Sequence, residues 1–214
     1  MHIAEAKEDY YSYIKRFFER WAAVYDITEI FISGIRTKVV DLINTREGSR
    51  VLDVCTGTGR QAFAFAKKGY AVSGIDVSEA MLRVANRNNK YENMKFECAD
   101  AANMPFEDSC FDVSCVSFGL HDMPVTIRER VLEEMVRVTK PQGIVVIIDY
   151  ALPKNKIRRC LIYHCIRFYE SKYYSEFIKS NVYDLLGRIG VRIEKEISVM
   201  IGAARILNGI NQKK

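Results

Sequence analysis

Between residues 10 and 44 the apolar positions recur at helical spacing. Ile14, Phe17, Phe18 and Trp21 mark one face of a first helix, and a second is predicted from about 28 to 44. The texture then changes. Short, nearly all-apolar runs at about 50–55, 71–75, 95–98, 111–116 and 144–148 read as strands, with amphipathic stretches at about 60–68, 78–88 and 126–139 between them. Gly69 ends the first of these helices. Ser78 is a good N-cap for the second, with Glu79 in its first turn. Pro141-Gln142-Gly143 turns the chain into 144–148, the most apolar strand. Beyond Asp149 comes a basic, aromatic segment and then a helix over about 174–189. After Gly190 two closing strands are expected, about 191–197 and 198–207.

Apolar strands alternating with helices imply a parallel sheet covered on both faces. Right-handed crossovers then give an α/β, Rossmann-like, doubly wound layer. The expected sheet has seven strands, mostly parallel with an antiparallel last strand, and the N-terminal helices form a lid. One domain over 1–214 is expected. Within it, 1–45 is the helical lid, 46–150 the cofactor-binding core, 151–178 an acceptor-side cover, and 179–214 the closing helix and strands.

Composition narrows the class. Of 214 residues 49% are hydrophobic and 28% charged, as in ordinary soluble domains. The net charge of +5 is spread along the chain, so no nucleic-acid partner is expected. The start, Met1 to Asp9, is polar and acidic, unlike a signal peptide, and no apolar run is long enough for a membrane span. Six cysteines lack any Cys-x-x-Cys spacing, which points to thiols in a reducing cytoplasm. Cys160 and Cys165 have no zinc-site spacing, so no metal is expected. Nothing in the pattern specifies an oligomeric state.

The chemistry gathers at strand ends. Gly57 and Gly59 lie where the first strand turns into the first core helix, and glycine there lets backbone approach a ligand closely. Gly57-Thr58-Gly59-Arg60-Gln61-Ala62 also satisfies a dinucleotide fingerprint, with Asp76 at a suitable distance. A carboxylate at the tip of the second strand can accept both hydroxyls of a ribose, whichever nucleoside carries it; it could instead help cap the helix after Ser78. Asp53 and Asp100 separate the cofactors. Asp53 stands before the turn, where it can orient amides and the amino group of a bound amino acid, and where a pyrophosphate would be repelled. Asp100 follows the third strand, placed to accept from an adenine amino group.

These segments resemble the motifs of class I S-adenosylmethionine-dependent methyltransferases. Val51-Leu52-Asp53-Val54-Cys55-Thr56-Gly57-Thr58-Gly59 is similar to the first motif, and Gly74-Ile75-Asp76-Val77-Ser78 with Met81-Leu82 to the second. Asp100-Ala101 with Met104-Pro105-Phe106 resembles the third, and Phe111-Asp112-Val113 the fourth. Leu132-Glu133-Glu134-Met135 through Gly143 resembles the signature before the fifth strand. Ser117-Phe118-Gly119-Leu120, Tyr25-Asp26 and Gly202-Ala203-Ala204 resemble the UbiE-like (methyltransferase type 11) C-methyltransferases of ubiquinone and menaquinone biosynthesis. The resemblance implies S-adenosylmethionine contacts at Asp53, Thr56, Gly57, Thr58, Gly59, Asp76, Val77, Met81, Asp100, Ala101 and Ser117, with S-adenosylhomocysteine as product. The chain departs from the quinone enzymes after Gly119-Leu120, reading His121-Asp122-Met123-Pro124 where they continue with Arg-Asn.

His121, just past the fourth strand with Asp122 adjacent, is the candidate base, since an imidazole titrates near neutrality. The alternative is that it packs or caps the loop before Pro124. Residues 154–177 are dense in aromatics and suit a flat or greasy acceptor; Tyr163 and Tyr169 there, with Tyr13 and Tyr25 from the lid, are the candidate acceptor contacts. Lys156, Arg158, Arg159 and Arg167 could equally face an anionic membrane surface, and the aromatics could be core residues of an ordinary helix. The expected reaction is methyl transfer to a small aromatic or prenylated acceptor, at carbon or oxygen. An NAD-linked oxidoreductase and a non-catalytic S-adenosylmethionine-binding protein are the competing readings.

Overall fold

The computed structural model describes residues 2–21 and 29–213, with side chains described for 9–19, 34–168 and 170–213. Its frame is one seven-stranded sheet. In chain order the strands are β1 (Arg50–Val54), β2 (Ala71–Asp76), β3 (Met94–Cys98), β4 (Phe111–Ser117), β5 (Thr139–Tyr150), β6 (Val191–Val199) and β7 (Ala204–Asn211). They lie in the order β3-β2-β1-β4-β5-β7-β6. Pairings from β3 to β5 are parallel, and β7 runs antiparallel to both β5 and β6. The expected doubly wound, mostly parallel sheet with an antiparallel last strand is what forms.

Alternation of side chains along each strand sends neighbours to opposite faces. Val145 and Ile147 of β5 join Leu52, Val54, Ile75 and Leu207 on one face. There they pack against α5 (Val125–Val138), α7 (Tyr174–Lys179) and α8 (Val182–Arg188). Val146 and Ile148 join Val51, Val72 and Val113 on the other, under α2 (Glu29–Ile43) and α3 (Arg60–Lys67). With apolar residues on both sides, the central strands β1, β4 and β5 are buried on both faces, which is why their runs read as nearly unbroken in the sequence, whereas the edge strands β3 and β6 are largely exposed. The remaining helices are α1 (His2–Trp21), α4 (Glu79–Asn88), capped by the Ser78 hydroxyl as expected, and α6 (Lys156–Tyr169).

Three expectations are corrected in detail. The helix over 174–189 is two helices, because Ser180 is extended and Asn181 starts α8 by accepting from the N–H groups of Tyr183 and Asp184. The reversal expected at 197/198 occurs at 200–202, where Met200, Ile201 and Gly202 take positive φ, Gly202 most readily. The Pro141-Gln142-Gly143 turn lies inside β5 as a bulge: Phe111 pairs with Thr139 but Val113 with Ile144. The Asn211 side chain holds its base by donating to the carbonyls of Val136, Thr139 and Lys140.

Arg128 of α5 fastens the loop after β4 to the cover. It is 1% exposed and donates to the carbonyls of Leu120 and Met123 and to Ser180 Oγ, with its guanidinium 5.0 Å from the Phe177 ring. Removing it strands the Met123 carbonyl and leaves the Leu120 carbonyl only the Met123 N–H, so Arg128→Ala is expected to lower unfolding free energy by about 3 kcal/mol in urea titration. A loss under about 1 kcal/mol would mean the loop holds without it.

Candidate functional site

Parallel strands deliver their carboxyl ends to one edge, and the loops leaving β1, β2, β3 and β4 meet there. At the first, Cys55 takes φ 55 and Gly57 and Gly59 take φ 55 and 81. Gly59 has a second reason to be glycine, since a Cβ would stand 2.6 Å from the Phe96 ring. The turn is tied at both ends: the Gly59 N–H donates to the Thr56 carbonyl and the Gly57 N–H donates to Asp76 Oδ2, at 2.9 and 2.8 Å. Asp76 Oδ1 accepts from the Ser78 N–H at 2.8 Å, so one carboxylate joins the glycine turn to the start of α4. Both readings of Asp76, ribose acceptor and brace for the helix start, are geometrically compatible because each oxygen has a second lone pair.

These loops wall a cleft that is partly open to solvent. Of the expected cofactor contacts, Asp53, Thr56, Gly57, Thr58, Asp76, Val77, Met81, Asp100, Ala101 and Ser117 line it, and Gly59 supports the turn from beneath. Helix α1 closes one side. Tyr10, Tyr11, Ile14 and Phe18 face the cleft, and the Tyr11 hydroxyl donates to Asp100 Oδ1 at 2.6 Å. Helix α1 is thus docked on the carboxylate expected to receive an adenine amino group.

Charge and unmet hydrogen bonding characterise the cavity. Four carboxylates face it, those of Asp53, Asp76, Asp100 and Asp122, against the guanidiniums of Arg36 and Arg60. Burial pushes the Asp53 carboxyl up to about 6, offset in part by the hydroxyl of Thr56, which donates to Oδ2 at 2.6 Å. Burial raises Asp76 as well, despite its backbone donors. Asp53 Oδ1 and both amide atoms of Gln61 are buried at the cleft wall without a hydrogen bond of good geometry. Orphaned groups of this kind cost about 1–3 kcal/mol each unless a ligand meets them. Gln61 and Arg36 were missed from sequence; the signal for Gln61 was a polar residue within the buried stripe Gln61, Ala62, Phe65 and Ala66.

The expected base sits elsewhere. His121 lies in a single 3-10 turn, Leu120–Asp122, and its ring is buried behind the cleft wall rather than on it. Nδ1 is 2.7 Å from Asp149 Oδ1, and Nε2 is 3.1 Å from Glu170 Oε2 and 3.5 Å from Asp122 Oδ2. Burial opposes charge on the ring, but Asp122, Asp149 and Glu170 together raise its pKa well above the ordinary value. Asp122 faces the cleft beside Met123, Ile127, Val131 and Phe118, and its Oδ1 is buried without a partner. Asp149 and Glu170 were not legible as site residues, lying 28 and 49 positions beyond His121.

The candidate acceptor contacts are dispersed. Tyr13 is off the cleft wall, packing edge-on to Tyr173 with Lys172 over its ring. Tyr163 hydrogen-bonds Ser175 and packs near Tyr174. Tyr25 and the side chain of Tyr169 lie outside the described residues.

The model of the ubiE/COQ5 methyltransferase family matches residues 3–169. A demethylmenaquinone methyltransferase of Paenarthrobacter aurescens is 38% identical over 141 residues, which are 64% of this chain and 54% of that protein. One from Geobacillus kaustophilus is 36% identical over 167 residues, 72% of this chain and 70% of that protein. The chain therefore spans little more than half the length of the first of these relatives. Among solved structures, a SAM-dependent methyltransferase from Aquifex aeolicus superposes with a TM-score of 0.66 at 23% identity, covering 87% of this chain and 93% of that one. Its low identity speaks to the fold alone.

The raised Asp53 value gives a signed expectation. The folded state holds a proton that the unfolded chain, with a value of 3.8, has lost, so the penalty is absent below about pH 4 and complete above about pH 7. Asp53→Asn is expected to be more stable than the parent at pH 8 by up to about 3 kcal/mol, the difference vanishing near pH 4 in denaturation series. A difference independent of pH would mean that Asp53 titrates normally.

Proposed function

The chain belongs to the ubiE/COQ5 methyltransferase family, and from that premise we propose that it moves a methyl group from S-adenosylmethionine to a small aromatic or prenylated acceptor, at carbon or oxygen, in the reducing cytoplasm. The observation that carries the cofactor assignment is the set of unmet acceptors and donors, Asp53 Oδ1 and the Gln61 amide, in a cleft with four carboxylates. A cationic sulfonium with an amino-acid end answers both features. A dinucleotide would bring a pyrophosphate against the same carboxylates, which disfavours the NAD reading.

In this assignment Asp76 receives the ribose hydroxyls, Asp100 accepts from the adenine amino group, and Asp53 and Gln61 face the amino-acid end. Gly57 and Thr58 let the ligand lie against backbone, and Val77, Met81 and Ala101 flank the adenine. S-adenosylmethionine bound there supplies an electrophilic methyl group on sulfur. Phe118, Met123, Ile127 and Val131 form the apolar end of the cleft and would hold a flat acceptor in line with it. Tyr10, Tyr11 and Ile14 on α1 exclude water. His121, buried behind the wall with both nitrogens engaged, is assigned to positioning Asp122 rather than to removing a proton. The named relatives support an acceptor of the demethylmenaquinone kind.

A lipophilic acceptor is best met at a membrane. No helix among the described residues is long and apolar enough to cross one. Helix α6 offers a surface instead: Ile157, Leu161 and Phe168 are 74%, 62% and 93% exposed, and helical spacing puts them in one stripe. Lys156 and Arg167 flank it on one side and Arg158 on the other, suited to anionic headgroups.

Asp76→Ala is expected to weaken S-adenosylmethionine binding at least tenfold in calorimetry; undiminished affinity would refute the cofactor placement. The parent should sediment with anionic vesicles in a salt-dependent way, and Leu161→Ser with Phe168→Ser should abolish that. Equal sedimentation of both proteins would mean that α6 takes no part in membrane contact.

A further inference from the structure

The cluster behind the cleft wall carries an inference that does not depend on what the cleft binds. Three carboxylates, Asp122, Asp149 and Glu170, surround one imidazole in a largely buried space. The buried Arg128 nearby is already committed to two carbonyls and a hydroxyl. One imidazolium leaves this group short of positive charge, and Asp122 Oδ1 is buried without a hydrogen bond of good geometry.

The geometry goes further than a charge deficit. Asp149 Oδ1 faces Nδ1 at 2.7 Å, while Asp149 Oδ2 accepts from the N–H groups of Leu120 and His121. This fixes a ring orientation in which Nε2 looks toward the other two carboxylates. The Tyr150 hydroxyl donates to Glu170 Oε1 at 2.7 Å and leaves Oε2 facing Nε2. The three atoms offered by His121, Asp122 and Glu170 lie within 4.8 Å of one another, with Nε2 to oxygen separations of 3.1 and 3.5 Å. Nitrogen and oxygen ligands about 2.1 Å from a tetrahedral ion stand about 3.4 Å apart.

We propose that His121 Nε2, Asp122 and Glu170 bind a divalent transition-metal cation, with Asp149 and Tyr150 orienting two of the ligands. The mixed nitrogen and oxygen donors suit zinc, manganese, iron(II) or cobalt rather than calcium or magnesium. A carboxylate on the far nitrogen of a ligating histidine is the usual way such a ring is held. Glu170 follows α6 and His121 follows β4, so the ion would clasp the cover to the sheet edge. Asp122 also lines the cleft, so the ion would lie directly behind its wall.

The test uses the full chain with the exposed Cys98, Cys160 and Cys165 changed to Ser, stripped with a chelator and titrated with Co2+ while visible ligand-field absorption is followed. One saturable equivalent is expected, displaced by Zn2+. Glu170→Gln and Asp122→Asn, which keep size and shape, should each weaken binding at least tenfold while melting cooperatively. Absence of a one-equivalent site in the parent, or parental affinity in both variants, overturns the proposal. If either variant fails to fold, nitrogen-15 spectra of the parent decide. Zn2+ must remove the His121 Nε2–H signal, and its persistence at saturation reduces the cluster to an ion pair.

Discussion

The Asp76 carboxylate holds two loops with its two oxygens, accepting from the Gly57 N–H on one side and the Ser78 N–H on the other. Without it the glycine turn after β1 and the start of α4 would have no common anchor at the sheet edge. Burial makes the charged form costly there, and the two backbone donors offset only part of that cost. The arrangement persists because β1 is paired in register with β2 up to Val54 opposite Ile75, which sets Asp76 beside the turn that follows β1. A ribose diol would add to this group without displacing what it already does.

The same edge accumulates features that a merely stable protein would avoid. Cys55 and Phe118 take left-handed backbone at the ends of β1 and β4, and Gly119 leaves a Cβ position 3.0 Å from the Cys55 side chain. Asp53 is almost fully buried with one oxygen unmet. Strain and orphaned polarity concentrated on one cavity mark a surface shaped for a ligand, since the apolar layers elsewhere supply the stability that tolerates it. The cluster around His121 lies one layer behind, coupling the cover to the sheet through carboxylates.

Much of this was legible in the sequence. Asp53, Asp76 and Asp100 stand within or just past the carboxyl ends of the first three strands, and a parallel sheet necessarily brings those ends together, so linear position translates directly into geometry. Ser78 was readable as a cap for the same local reason. What failed was either local chemistry given too little weight or contact between distant segments. Asn181 is as good a cap as Ser78, yet continuous apolar spacing on both sides concealed the break between α7 and α8. Gly202 marked the β6–β7 reversal more reliably than the alternation did. His121 stood out as a residue, but its partners Asp149 and Glu170 come from a strand end and a loop, and no periodicity links them. Aromatic density points to Tyr13 and Tyr163, but it does not distinguish a side chain packed against neighbouring rings from one facing a cavity.

A cleft built for a cationic nucleoside sulfonium and not for a dinucleotide will discriminate in thermal unfolding with S-adenosylmethionine, S-adenosylhomocysteine and NAD, each at about one hundred times the dissociation constant expected for the first. Saturation of that order adds about 2.7 kcal/mol, a shift of several degrees for a chain of this size. That shift is expected with both sulfur nucleosides and none with NAD. Stabilisation by NAD alone would contradict it.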